Sequence, residues 1–297
     1  MRRGKSQASK LLIEASHQIL KEIQPASVRA VCYRLFTMGM IPNMSKGSTG
    51  KVSKQLVYAR ENGIIPWGWI VDETRSEETI TSWRDTSSII QAAVNTYRRD
   101  YWQDQPNRVE IWSEKGTVRG SVSPVLEKYG VTFRAMHGYS SATVINNIAD
   151  ESNRSDKPLT AFYCGDFDPS GKHMSDIDLP NRLRKYGGTL RIERIALTDI
   201  DVLTGKLPSF EAGTKVGDTR YRWFRDNFGS KCWELDAMSP VMLRDRVEKS
   251  ILSKLDQELW DRAIEIESVE KLSMERFQQS WNSTQIANRG KSPFAQN

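Results

Sequence analysis

Cysteine and histidine are scarce in this chain. Its 297 residues hold three of each, Cys32, Cys164 and Cys232, and His17, His137 and His173, all scattered. No C-x-x-C pair is present, so neither a zinc site nor a disulfide framework is indicated. The cysteines read as small buried hydrophobes in a reducing compartment. Any metal is left to oxygen ligands. No stretch approaches the roughly 20 apolar residues of a membrane span. Residues 1–10 are basic and polar and lack the apolar segment of a secretory signal. These absences predict a cytoplasmic protein, nucleoid-associated in a bacterial or archaeal cell. Internal repeats and low-complexity blocks are also missing.

What is present begins with charge. The formal net charge is +6, a balance that favours polyanionic partners without identifying one. Three regions differ in pattern, and they predict domains at 1–105, 106–238 and 239–297. In the first, Leu12, Ala15, Ile19 and Ile23 recur at helical spacing, and Pro25 ends that helix. Ser27 is placed to cap a second helix, in which Val28, Val31, Cys32 and Leu35 form an apolar stripe. A third helix carries Val52, Leu56 and Ala59 on one face and Lys51, Lys54 and Tyr58 on another, with Gly63 at its end. Residues 67–72 read as a strand. Three short helices and a strand hairpin make the winged-helix variant of helix-turn-helix, whose third helix enters a DNA groove. A plain three-helix core shows the same periodicity. A connector helix is expected over 78–102 and a boundary over 103–107.

The second region alternates. Strands are expected over 109–113, 131–135, 159–164 and 190–197, with helices over 118–129, 141–149 and 179–186 between them. That rhythm implies α/β architecture, a parallel sheet with helices on both faces. The third region, 240–279, is a charged helical extension, and the tail after Asn282 reads as disordered.

In open parallel sheets, ligands gather at the carboxyl ends of the strands. Glu114 closes the first strand of this region. Asp166 and Asp168 follow the third, in the run Gly165-Asp166-Phe167-Asp168-Pro169-Ser170-Gly171. Alternation sends both aspartates to one side and Phe167 to the other. Carboxylates gathered at one sheet edge repel unless a cation joins them. Hard oxygen donors of this kind suit Mg²⁺, which keeps several waters and takes one or two carboxylates plus phosphate.

Glu114-Lys115 after an apolar strand, followed by the Asp166–Gly171 turn, resembles the Toprim fold. More narrowly, the chain is similar to the A subunit of topoisomerase VI and the related meiotic double-strand-break transesterase. That family carries a glutamate-lysine pair, then a D-x-D-P-x-G turn, and a glutamate-leucine-glutamate-alanine run that Glu234-Leu235-Asp236-Ala237 resembles. Its nucleophilic tyrosine lies on a winged-helix domain in a run like R-x-x-Y-Y, which Arg29 to Tyr33 matches, with Cys32 where an aromatic is common. The resemblance spans roughly residues 10–237. It implies a homodimer that cuts double-stranded DNA, the tyrosine of one subunit meeting the metal site of the other. Tyr33 would form a 5′-phosphotyrosyl link, Glu114, Asp166 and Asp168 would hold Mg²⁺, and Lys51, Lys54 and Lys115 would contact DNA. It also implies a separately encoded ATPase subunit for strand passage. This chain carries no nucleotide-binding motif, and no counterpart of the family's partner-docking segment is found.

Arg29 and Tyr33 are one helical turn apart on the same face. A guanidinium there is expected to favour the phenolate and to hold a phosphate. Tyr33 also borders the apolar stripe and suits packing. Two further classes stay open: a Toprim nuclease using metal-activated water, and a DNA-binding factor without catalysis.

Overall fold

A computed structural model describes residues 5–71, 82–136, 140–204, 206–215 and 217–289. The N-terminal elements are α1 (Gln7–Ile23), β1 (Ala26–Ser27), α2 (Val28–Thr37), α3 (Lys46–Glu61) and β2 (Ile70–Val71). Each helix starts on a serine that accepts a backbone N–H: Ser6 from Ser9, Ser27 from Ala30 and Ser45 from Ser48. The apolar stripes converge, and Leu20, Val31, Leu35, Val52, Leu56 and Ala59 form one buried core. Lys51 and Lys54 remain exposed on the outer side of α3.

The wing expected after α3 takes another form. Trp67–Trp69 is a 3-10 turn, and only Ile70–Val71 is extended. It pairs parallel to Ala26–Ser27, so β1 and β2 make no hairpin. Parallel neighbours need a long crossover, which α2 and α3 supply. Residues 72–81, where a second wing strand would fall, lie outside the described residues.

After α4 (Thr86–Thr96) the chain alternates: β3 (Arg108–Ser113), α5 (Thr117–Tyr129), β4 (Thr132–Ala135), α6 (Ala142–Asn153), β5 (Leu159–Cys164), α7 (Pro169–His173), a π-helical turn (Met174–Asp178), α8 (Leu179–Lys185) and β6 (Arg191–Ala196). The four strands form a parallel sheet in the order β4-β3-β5-β6. β5 is buried along its whole length, as a central strand covered on both faces must be. Trp112, Ala161 and Tyr163 pack against Ile145, Ile148, Leu179 and Leu183 of α6 and α8. Then follow α9 (Asp199–Leu203), β7 (Phe210–Glu211), α10 (Tyr221–Phe228), β8 (Lys231–Cys232), α11 (Pro240–Leu252) and α12 (Gln257–Arg289). α11 packs on α5 and β6. The molecule is therefore α/β, with a four-stranded parallel sheet flanked by helices.

The chain divides into two compact units. One comprises Met1–Thr74 with Asn107–Lys254, the other Arg75–Pro106 with Leu255–Asn297. In the second unit α4 packs on α12. The Tyr97 hydroxyl donates to Glu270, the Arg99 N–H donates to Glu267 at 2.9 Å, and Tyr101 meets Trp260 edge to face. α4 is shorter than the expected connector. The Asp85 carboxylate caps its start by accepting from Ser88 N–H at 2.7 Å, and Tyr97 leaves the helix in an extended conformation. α12 runs on to Arg289, past the point where the sequence suggested disorder. Residues 290–297 lie outside the described residues. No described helix is long and apolar enough to cross a membrane.

Candidate functional site

Strand register brings the acidic motifs to one edge. Ser113 of β3 stands opposite Cys164 of β5 in a parallel ladder, so Glu114-Lys115 and Gly165-Asp166 leave the sheet side by side. The turn after β5 is tight. A Cβ on Gly171 would lie 2.3 Å from the Asp166 carbonyl oxygen, and one on Gly165 would run into the Tyr163 ring. Only glycine tolerates such approach. Asp168 caps α7, accepting from Gly171 N–H at 2.8 Å, and is almost fully buried. Phe167 points the other way into a cluster with Phe224, Phe228 and Trp233 at centroid distances of 5.5–5.7 Å.

Arg194 on β6 holds this turn from beneath. Its guanidinium donates to the carbonyls of Gly165 and Gly171 at 2.9 Å and of Asp166 at 3.3 Å. Sequence reasoning gave Arg194 no role. Its signal was only a charged residue inside a strand, and its partners in this turn are backbone oxygens more than twenty positions earlier.

A second segment lies along the turn. Phe167 and Trp233 exchange backbone hydrogen bonds at 2.9 Å, which lays residues 232–236 beside the aspartates. Leu235 N–H then donates to Asp166 at 2.8 Å. The Lys115 ammonium meets Asp166 at 3.0 Å and Asp236 at 3.4 Å. Burial works against that ammonium, but Asp166 and Asp236 outweigh it and hold it charged well above the usual lysine range. Lys115 is thus the internal counter-ion of the carboxylates, a position the sequence reading did not foresee.

The same segment grips α2. The Ser27 hydroxyl donates to Asp236 at 2.5 Å while accepting from Ala30 N–H. The Arg29 guanidinium pairs with Glu234 through two nitrogens. Tyr33 is buried one turn on, its ring 5.9 Å from the Arg29 guanidinium carbon. The tyrosine departs from expectation. Burial, then the Glu234 carboxylate, push its phenol well above the ordinary value, and Arg29 only partly opposes them. A guanidinium alone favours the phenolate, but here the Glu234 carboxylate already occupies it.

Compared with known proteins, the chain matches no family model and has no significant curated relative. The functional reading therefore stands on this site and on the motifs themselves.

Two open cavities flank α2. One, of about 340 Å³, is lined by Ser27, Arg29, Lys115, Thr117 and Asp236 among others. The other, of about 320 Å³, is lined by Tyr33, Arg34, Lys206 and Asp236 among others. A larger cavity between α1 and α3, about 490 Å³ and walled by Ile13, His17, Tyr58 and Ile64, lies away from these charges. Burial pushes the Tyr163 phenol up; the Arg194 guanidinium opposes this, and the Glu114 and Asp166 charges add to it. Among the described residues no three His, Cys, Asp or Glu side chains form a group that could hold a metal ion, so the structure does not gather Glu114, Asp166 and Asp168 as one set. The donors still suit Mg²⁺ in kind. They are hard oxygens, and Mg²⁺ keeps several waters and takes one or two carboxylates plus a substrate phosphate.

Proposed function

We propose that this protein is a DNA-cleaving transesterase resembling the topoisomerase VI A subunit. The observation that carries the reading is the Glu234–Asp236 segment. It joins the tyrosine-bearing helix, through Ser27 and Arg29, to the acidic sheet edge, through Lys115 and Asp166. It links the Arg29 guanidinium and the Asp166 carboxylate in one network, with the Tyr33 ring 5.9 Å from the guanidinium carbon, and phosphodiester transesterification uses groups of these three kinds.

In this reading the Tyr33 oxygen bonds to phosphorus and the bond from phosphorus to the 3′-oxygen breaks. The phenol proton is lost, the 3′-oxygen gains one, and the 5′-phosphate remains on the tyrosine. Arg29 orients the phosphate as a two-point donor. Glu114, Asp166 and Asp168 would hold Mg²⁺, which when bound stabilises charge on the phosphoryl oxygens. Lys51, Lys54 and Lys115 contact the DNA backbone, which positions the duplex without specifying sequence. Two copies of the chain would cut the two strands, and strand passage would call on a separately encoded ATPase subunit.

One observation favours a second reading, a Toprim nuclease that uses water. The Tyr33 phenol is buried and its ionisation is opposed. A single experiment separates the two. Supercoiled plasmid is incubated with protein and Mg²⁺ and stopped with detergent, and protein attached to DNA 5′ ends is assayed. The transesterase predicts linkage in the wild type, lost in Tyr33→Phe and in Asp166→Asn. Cutting that persists in Tyr33→Phe without linkage establishes the nuclease.

A further inference from the structure

Glu234 has no part in the chemistry above, yet it occupies the group that should bind phosphate. A guanidinium presents the same planar fork to a carboxylate and to a phosphodiester. Here that fork is filled by Glu234 in two-point contact. Arg29 keeps 41% of its side chain exposed, facing the cavity it shares with Lys115 and Thr117. Glu234 departs from a fixed point, because the next residue's N–H is fastened to Asp166. Lys115, the second cation of that cavity, is matched by Asp236, from the same three-residue run. The free protein thus carries a built-in anion on each of the two cations that line this cavity.

We infer that Glu234 is a positioning residue that stands in for the DNA phosphate. It holds Arg29 extended and oriented while DNA is absent, and is displaced from the guanidinium when a phosphodiester docks. The inference rests on the DNA-cleaving reading above. It adds a consequence for the tyrosine. Glu234 opposes ionisation of Tyr33, so its displacement withdraws a negative charge from the phenol as phosphate arrives. Arg29 then bridges the two, one helical turn from Tyr33.

The test is a double-mutant cycle on the full chain, read by fluorescence anisotropy of a short labelled DNA duplex. Salt is varied from about 50 to 200 mM. Glu234→Gln frees the guanidinium and is expected to tighten binding about tenfold, the worth of one charged contact. The slope of log affinity against log salt should steepen by about 0.9, one added phosphate contact. In an Arg29→Gln background the same substitution should change neither quantity. A general loss of negative charge would act in both backgrounds, so a gain that survives Arg29→Gln overturns the inference. Glu234→Asp keeps the charge but shortens the reach, and an affinity between wild type and Glu234→Gln is expected. An unchanged affinity in both Glu234 variants also overturns it. The DNA-cleaving reading fails separately and visibly: the wild type alone then shows no duplex binding or no Tyr33-linked product.

Discussion

At the scale of the residue, Asp168 shows how one side chain carries two separable duties. Its carboxylate caps α7 through Gly171 N–H, and in the proposed function it is also a metal ligand. Alanine removes both. Asparagine keeps an oxygen acceptor for the cap but not the charge. We expect Asp168→Ala to lose about 1 kcal/mol of stability in urea unfolding, with Asp168→Asn within a few tenths of wild type. DNA cleavage should fall in both. Equal stability loss in the two variants would show that the charge, not the cap, holds this turn. Tyr33 carries a similar ambiguity, since a buried phenol on an apolar stripe packs whether or not it reacts.

At the scale of the element, the turn after β5 is organised by a residue from the next strand. Arg194 satisfies three carbonyls of residues 165–171. Methionine fills similar space but donates nothing, which leaves those oxygens short of partners. A group so deprived costs about 1–3 kcal/mol. Arg194→Met should therefore unfold more easily by about that amount, and amide exchange across residues 165–171 should accelerate. Exchange confined to distant helices would contradict the role assigned to Arg194. The same turn explains the two glycines around it: at Gly171 the backbone of Asp166, and at Gly165 the Tyr163 ring, leave no room for a methyl group.

At the scale of the molecule, ion pairs link elements far apart in sequence and set the response to acid. Burial works against the Asp201 charge, but the Arg246 guanidinium and the Thr198 donors outweigh it and hold the carboxyl below the usual range. Glu248 is depressed by Lys128 and Tyr129. A carboxyl depressed in the folded state contributes stability above its unfolded pKa of about 4, and that contribution is lost as pH falls through the folded value. The urea midpoint should be level near neutrality and decline from about pH 5 downward. Asp201→Asn should lower the midpoint at pH 7 and flatten the decline. An unchanged acid slope in that variant would assign the effect to other carboxylates.

Local events were legible in the chain before it folds. The Ser27 cap, the apolar stripes and the continuous run of β5 depend on neighbours within a turn or two, and they fall where the spacing put them. The acidic motifs were legible as strand ends for the same reason. What those motifs touch follows from the fold. Lys115 against Asp166, Arg29 against Glu234 and Ser27 against Asp236 are pairs 51, 205 and 209 positions apart, and no periodicity encodes them. The parallel pairing of β1 with β2 likewise depends on how three helices fold back. A carboxylate's influence falls off over a few ångströms in space, whatever the separation along the chain. The charge state of the tyrosine therefore became readable only once the fold had set Glu234 beside it.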